Sequence, residues 1–326
     1  MKTNNFFGKI FDAFPPPKFL DIPFAGVHIS DLFVRVLQFG KKNGALYIEK
    51  YKEVPVPPGT ITAGQIDNRE VIITILKNLK QEMDLSYVKV SLPEEKAYLF
   101  TTKIPIVKET EVRSAVESKI EENVPVSPNE LVFDYKVFDH RQKDHLDVVV
   151  SALPINLIDS YADVITRAGL LPISLEIESE AIVRSIIPKE DSGTSLVVNF
   201  AKEKVGLYVE TFRVVRFTST ISTKGYAAND SNFLLQEIKK LYMYWHTLKE
   251  NVDKPEKKIT QIILCGESFD ESILPYLASH MDIPVVMANV WTSVFDVNVA
   301  VPKISFSDSL RYAGAIGLAL PQTVLI

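Results

Sequence analysis

The sequence predicts a duplicated α/β protein with two lobes and a small α/β unit inserted between them. The chain has 326 residues, more than a single core of typical domain size uses. Its hydrophobic fraction of 46% and charged fraction of 24% are those of an ordinary globular protein. An order of three strands, one helix and one further strand occurs twice, and this repetition is the main argument for two lobes.

The first copy of this order follows a proline-rich segment, and its strands show alternating or continuous apolar residues. Its predicted strands cover residues 26–29, 33–39, 45–53 and 87–92, and its helix carries Val71, Ile72, Ile75 and Leu79. The second copy has predicted strands at 195–200, 204–210, 213–219 and 259–264 and a helix near 231–250. In that helix Leu234, Ile238, Leu241, Trp245 and Leu248 form an apolar stripe that is typical of a core-facing helix.

A different unit separates the two copies. It contains a predicted strand at 96–104, a charged helix at 108–123 and a hairpin that begins near Leu131. A helix follows Pro154 and ends at Gly169, where a residue without a Cβ can cap it. The predicted domains are therefore an N-terminal arm and linker (1–24), the first lobe (25–92), the inserted unit (93–154), crossover helices that complete the first lobe (155–190) and the second lobe (191–326).

The N-terminal arm is predicted to be a short amphipathic helix that ends at three prolines. Its apolar residues recur at helical spacing and are Phe6, Phe7, Ile10, Phe11 and Phe14. A helix of about ten residues is marginal alone in water, so it needs a receiving surface. That surface can be its own domain, a membrane or a partner protein.

Several classes of function are disfavoured by composition. The net charge of −5 and the absence of a basic stripe argue against a nucleic-acid partner. The single cysteine, Cys265, indicates a reducing compartment and is expected to be a small buried side chain. The five histidines show no metal-ligand spacing, so no metal site is expected. A group of carboxylates is predicted to be a solvated surface rather than a catalytic pair: Glu117, Glu121, Glu122 and Asp134.

Six stretches of the chain carry a family resemblance. They are GVHISDLFVRV, VPVPPGTITAGQI, SAVESKIEENVPVSPNELVFDYKVF, VVVSALPINLIDSYADVITRAGLLPISLEIESEAIVR, and IILCGESFDESILPYLASHMDIPVVMANVW together with LRYAGAIGLAL. In sequence and order they resemble the PilM family of type IV pilus assembly proteins, which is related to the cell-division protein FtsA. The resemblance covers about residues 25–320 and implies the actin-like ATPase (ribonuclease H-like) fold.

The resemblance also implies where a nucleotide would bind, and this chain departs from the family pattern there. In the first phosphate turn His28 stands at the position of a metal-organising aspartate, and Ser30 stands at a glycine position. Asp31, which follows Ser30, would repel a phosphate. In the second turn Asn199 replaces the other aspartate.

Some features of a nucleotide site remain. Lys202 and Lys204 follow the second turn and could offset phosphate charge. Gly266 keeps one glycine of a third motif, in which Glu267 replaces the neighbouring glycine. The candidate cofactor-binding residues are Ser30, Asn199, Lys202 and Gly266. We expect no ATP hydrolysis, no catalytic residue and no required cofactor, while weak ATP binding stays open.

The function implied by the resemblance is a cytoplasmic scaffold at the inner face of the cell membrane. It would serve a type IV pilus or type II secretion-like platform, bind the cytosolic tail of a PilN-like inner-membrane protein, and contact platform and motor proteins. Membrane association would come through partners or through the N-terminal arm. Tyr98 and Phe100 are the candidate partner-binding residues, in a groove between the first lobe and the inserted unit along 87–104. The alternatives are a nucleotide-switched actin-like ATPase and an FtsA-like membrane-tethered filament protein.

Overall fold

The computed structural model describes residues 22–42, 44–139, 144–224, 231–252, 254–296 and 301–320. The predicted N-terminal arm lies outside the described residues, so its helix stays a prediction.

The first sheet contains the four strands of the first predicted repeat and one further strand. Its strands are β1 (Phe24–Ile29), β2 (Phe33–Lys42), β3 (Ala45–Pro55), β6 (Tyr87–Leu92) and β10 (Leu171–Ile177). They lie in the order β10-β6-β1-β2-β3, with β1 antiparallel to β2 and parallel to β6. A two-residue hairpin, β4 (Ile61–Thr62) with β5 (Gln65–Ile66), lies in the loop between β3 and the next helix, where the sequence indicated no strand.

Three helices complete the first lobe: α1 (Arg69–Met83), α3 (Ile155–Arg167) and α4 (Glu178–Ile186). Asn68 caps the N-terminus of α1, and its side chain accepts a hydrogen bond from the backbone N–H of Val71. Helix α3 is followed by Gly169, which has a φ of +78° and supplies the predicted helix stop.

The second sheet repeats the arrangement of the first. Its strands are β11 (Thr194–Phe200), β12 (Lys204–Thr211), β13 (Val214–Ser222), β14 (Ile259–Gly266) and β15 (Val285–Met287). They lie in the order β13-β12-β11-β14-β15, which is the order of the first sheet read from its other side. The helices of this half are α5 (Ser231–Thr247), α6 (Ile273–His280), α7 (Val290–Val294), α8 (Phe306–Arg311) and α9 (Ala313–Ala319). This repetition confirms the predicted duplicated α/β fold.

The apolar stripe of α5 faces the core, as predicted. Leu234, Ile238, Leu241 and Trp245 are buried against the second sheet.

The inserted unit has its own core. It consists of β7 (Tyr98–Pro105), α2 (Glu109–Asn123), β8 (Leu131–Asp139) and β9 (His145–Pro154), with strand order β7-β9-β8. One face of α2, formed by Val112, Val116 and Ile120, packs on this sheet. The opposite face carries the predicted solvated carboxylates, and Glu117, Glu121 and Glu122 on α2 and Asp134 on β8 are exposed.

Helix α9 joins distant parts of the chain. It packs against β1 of the first sheet and against α4. Its residues Ala313–Ala319 are all buried, and their small side chains allow a close approach. A Cβ added at Gly317 would collide with the backbone of Ala181 in α4, so glycine is required there.

Candidate functional site

The two phosphate turns face each other across a cleft between the lobes. His28 lies near the end of β1 and Asn199 near the end of β11, which are equivalent strands of the two sheets. Both side chains are almost fully buried, with exposed fractions of 5% and 7%. The two positions at which the family pattern has metal-organising aspartates therefore lie close together in space.

A single carboxylate joins these two positions. Glu178 begins α4, and its Oε1 lies 3.2 Å from Nε2 of His28. The same oxygen accepts a hydrogen bond of 3.3 Å from Nδ2 of Asn199. Asn199 also donates to the hydroxyl of Tyr208 at 3.1 Å. The carboxylate of Glu178 thus links the first lobe to the second at the floor of the cleft.

The environment of Glu178 keeps its carboxylate charged. Burial alone would raise the pKa of this group, but the hydrogen bond and charge of His28, the charge of Lys204 and the amide of Asn199 lower the pKa to about 2. Below this group, Cys265 donates weakly to Oδ1 of Asn199 at 4.0 Å. Cys265 is fully buried, as predicted, and burial raises the pKa of its thiol, which disfavours the thiolate form.

A second ionic link crosses the cleft above this floor. Arg35 on β2 is 1% exposed, and its Nη1 lies 2.6 Å from Oε2 of Glu267, which follows β14. Its Nε lies 2.6 Å from Oε2 of Glu53 on β3. Ser30 donates to the same oxygen of Glu267 at 3.3 Å. Glu267 therefore neutralises a buried arginine of the other lobe.

A third link involves Lys204 at the start of β12. Its Nζ lies 2.5 Å from Oε1 of Glu95 and 4.0 Å from Oδ2 of Asp31. Asp31 in turn accepts from the backbone N–H groups of Ala63 at 3.2 Å and Gly64 at 3.0 Å. The carboxylate that sequence reasoning placed against a phosphate therefore holds the β4–β5 hairpin.

The four candidate cofactor-binding residues border one cavity. Ser30, Asn199, Lys202 and Gly266 line a space of about 670 Å³ between the lobes. Gly266 has a φ of +119°, and a Cβ there would lie 2.8 Å from Oδ1 of Asn199. The cavity is large enough for a small ligand. That these four residues hold a nucleotide stays a prediction.

The residues at the two aspartate positions do not fit a magnesium site. Mg²⁺ requires several oxygen ligands in octahedral geometry, commonly from carboxylates. His28 and Asn199 offer no carboxylate, and both already contact Glu178. In the part of the chain that the structure describes, no group of three or more His, Cys, Asp or Glu side chains is arranged to hold a metal ion.

The candidate partner-binding residues lie on β7. Tyr98 and Phe100 are half-buried and pack on the core of the inserted unit. The outer edge of β7 faces the second lobe, where Thr101 donates to the backbone oxygen of Arg216 at 3.4 Å. Strand β6, which the sequence placed in the same groove, is an interior strand because β10 lies outside it.

Two other strand edges border the junction of the first lobe with the inserted unit. In the described residues β10 pairs only with β6, and β8 pairs only with β9. Lys136 on β8 contacts Glu180 of α4, the helix that follows β10, at 2.9 Å. Large apolar side chains are exposed on these two strands and at the start of α3: Val132 on β8, Leu171 and Ile173 on β10, and Ile155 on α3.

Sequence reasoning missed the charged partners that fill the cleft. Glu178 and Glu95 lie far from the phosphate turns in sequence, and no motif marks them. Arg35 was the one detectable case, because it stands at an alternating position inside the apolar strand FVRVLQF.

A sequence model of the family described as type IV pilus assembly protein PilM matches residues 26–242. A solved PilM-PilN type IV pilus biogenesis complex contains a chain that is similar with a TM-score of 0.76 and 17% identity, covering 91% of this chain and 98% of that chain.

Two further solved structures are more distant. The cytoplasmic domain of EpsL, an inner-membrane component of the type II secretion system of Vibrio cholerae, has a TM-score of 0.48 and 12% identity, covering 84% of this chain and 100% of that chain. The ethanolamine utilization protein EutJ of Carboxydothermus hydrogenoformans has a TM-score of 0.49 and 12% identity, covering 94% and 90%. Among the described residues, no helix combines the length and apolar character needed to cross a membrane.

Proposed function

Because the chain belongs to the type IV pilus assembly protein PilM family and has the duplicated actin-like ATPase fold, we propose that it is a non-hydrolysing scaffold of a pilus assembly platform. It works in the cytoplasm at the inner face of the membrane. There it binds the cytosolic tail of a PilN-like inner-membrane protein and connects it to platform and motor proteins. The similar solved chain comes from a PilM-PilN complex, which supports a partner of this kind.

The observation that carries the scaffold proposal is the shared carboxylate of Glu178. It contacts Nε2 of His28 and accepts from Nδ2 of Asn199, at the two positions where an ATPase would organise a metal. The pair between Arg35 and Glu267 further holds the cleft in one arrangement. A nucleotide switch needs a cleft that opens and closes around its ligand, whereas these contacts favour a fixed one.

The junction between β8 and β10 is the place where we expect the partner's tail. An extended peptide can add to an exposed strand edge through backbone hydrogen bonds, and apolar side chains beside the edge give specificity. Val132 and Ile173 are 47% exposed at these two edges. Tyr98 and Phe100 stay a predicted part of the partner surface, on the neighbouring strand β7.

The proposal is tested by tail binding and ATP turnover on the same purified protein. We expect a synthetic peptide of the PilN-like tail from the same genome to bind, and Ile173→Asp or Val132→Asp to weaken binding by about tenfold or more. Tyr98→Ala tests the β7 assignment in the same assay. Met243→Asp, at an exposed apolar position on α5, is the matched control and should bind normally.

ATP turnover should not exceed background, and His28→Asp should not create it, because Asn199 still lacks the second carboxylate. Turnover that disappears in Asn199→Ala or Lys202→Ala would favour the alternative of a nucleotide-switched ATPase. Sedimentable polymers would favour the filament alternative. Absence of tail binding would contradict the scaffold function.

A further inference from the structure

A second cavity, of about 180 Å³, lies between the inserted unit and the second lobe. On the inserted unit it is lined by residues 99–101 of β7, the edge strand of that three-stranded sheet. On the second lobe it is lined mainly by β13, by the C-terminal end of α5 and by the segment that follows α5. Sites for drug-sized ligands measure about 300 Å³ or more, so this pocket suits a single inserted side chain.

The apolar part of this pocket is mainly aromatic. Phe100, Phe217, Tyr244 and Trp245 line it, and the ring centroids of Phe217 and Tyr244 are 5.6 Å apart. Trp245 is almost fully buried, whereas Tyr244 is 48% exposed and so lies at the rim. Concave sites with aromatic walls and an open rim are where the anchoring side chains of protein partners bind.

Lys257 lines the same pocket and has no counter-ion in contact with it. In the part of the chain that the structure describes, no hydrogen bond or ion pair involves its Nζ. Burial lowers the pKa of this amine, and the charges of Lys254 and Arg216 lower it further. The carboxylates of Asp147 and Glu250 raise the pKa, but not enough to offset burial and the two cations. A carboxylate brought into the pocket would supply the missing counter-ion.

Hydrogen bonds fix the shape of the pocket before any partner arrives. Nε1 of Trp245 donates to the backbone oxygen of Lys257 at 2.6 Å, and Nδ2 of Asn251 donates to the backbone oxygen of Trp245 at 2.9 Å. Across the pocket, Thr101 of β7 donates to the backbone oxygen of Arg216 at 3.4 Å. A pre-formed pocket loses little conformational freedom on binding, which favours affinity.

We propose that this pocket is a docking site for a segment of a protein partner that inserts one aromatic or bulky apolar side chain and places a carboxylate beside Lys257. The occupant follows from the size and aromatic walls of the pocket and from its unpaired cation. The pocket borders β7, whereas β8 is the opposite edge of the same sheet. It is therefore separate from the junction of β8 with β10, and its ligand chemistry does not rest on the proposed tail binding.

The test is a fluorescence titration of the full chain carrying Trp291→Phe, in which Trp245 is the remaining one of two tryptophans. The probes are capped pentapeptides, and the first has a central phenylalanine flanked on each side by two glutamates. Three further probes replace the glutamates by glutamines, the glutamates by lysines, or the phenylalanine by alanine. We expect the first probe to bind, the glutamine and alanine probes to bind about fivefold more weakly, and the lysine probe not to bind.

Variants in the same background separate the cation from the aromatic wall. Lys257→Met should bind the glutamate and glutamine probes equally, and Lys257→Arg should keep the preference for glutamate. Tyr244→Ala should weaken both of these probes by about fivefold. Lys240→Met removes a 71% exposed lysine of α5 and is the matched control, which should change nothing.

Thermal stability separates a binding role of Lys257 from a structural one. Its amine is desolvated without a contacting counter-ion, so Lys257→Met should leave the melting temperature unchanged or raise it. A large fall in melting temperature would show that the lysine stabilises the fold and would contradict the assignment.

The proposal is overturned if the first probe gives no saturable change up to about 5 mM. It is also overturned if the glutamine probe binds as well as the first, or if Lys257→Met keeps the preference for glutamate. Displacement of the PilN-like tail by the first probe would contradict a separate site. Probe binding is measured without the tail, so either proposal can fail while the other stands.

Discussion

Glu94 is a buried carboxyl group whose titration should be visible in the stability of the protein. It is 4% exposed, and burial raises its pKa to about 7. Its Oε1 and the hydroxyl of Ser179 are both buried without a hydrogen-bond partner. The native state therefore favours the protonated form of Glu94, in which the carboxyl group also gains a donor.

The sign of the pH effect follows from this raised pKa. Between the unfolded value of 4.5 and the native value of about 7, the native state binds more protons, so its stability falls as pH rises. At about pH 7, the upper end of this pH range, the free energy of unfolding is lower by about 3 kcal/mol because of Glu94. Glu94→Gln cannot ionise and should become more stable relative to wild type between about pH 5 and pH 8. Urea denaturation at a series of pH values measures this.

Glu210 provides the matched comparison for that experiment. Its burial also raises its pKa to about 7, and it lies on β12, facing Arg213 and Ser195 rather than the cleft. Glu210→Gln should remove a pH slope of the same sign, and the double variant should remove both. Equal slopes in wild type and Glu94→Gln would contradict the assignment.

At the scale of single elements, the N-terminal arm is the part for which the sequence makes its clearest prediction. Its apolar face needs a receiving surface, because ordering about ten residues costs roughly 1 to 2 kcal/mol each. We expect deletion of residues 1–14 to leave the melting temperature nearly unchanged and to weaken recruitment to membranes that carry the PilN-like partner. Thermal melts and membrane co-sedimentation, each with and without the arm, check this. A large loss of stability would show that the arm packs on its own domain.

Elements with strong periodicity could be predicted from sequence, and elements defined by a turn could not. Strand β6 was predicted at 87–92 and occupies those residues, because its continuous apolar run is flanked by turn residues. The β4–β5 hairpin has strands of two residues and a turn in which Ala63 has a φ of 47°. A non-glycine residue with positive φ gives no periodic signal, so the hairpin was not predicted.

The candidate site was predictable only where residues occupy motif positions. His28, Asn199 and Glu267 stand in the three turns, so their departure from the family pattern was visible. Arg35 and Glu178 pair with them across long sequence distances. A pattern within one stretch cannot specify such pairs, because they depend on how the two lobes meet.

At the scale of the whole molecule, the buried pair between Arg35 and Glu267 should make the lobes unfold together. Arg35→Met leaves Glu267 and Glu53 without their shared cation, and removing one partner of a buried pair costs about 3 kcal/mol or more. We expect wild type to unfold in one transition and Arg35→Met to unfold at lower urea with separated transitions. Circular dichroism reports both lobes, whereas tryptophan fluorescence reports the second lobe through Trp245 and Trp291.

The control for this experiment is an ion pair on the surface. Lys119→Met breaks a pair with Glu122 within α2, where little stability is expected from an exposed contact. It should leave the single transition in place. An Arg35→Met protein with an unchanged midpoint and coincident transitions would show that the pair does not couple the lobes.

The position of α9 has a consequence for synthesis of the protein on the ribosome. The face of β1 at Gly26 is covered by Ala315 and its neighbours in α9, which are translated after nearly all of the rest of the described chain. The first sheet emerges early but cannot bury that face until α9 leaves the exit tunnel. During this interval an apolar sheet surface is exposed, a state in which nascent chains aggregate or engage chaperones. The sheet that is made first is thus covered only after every strand of the second sheet has been made.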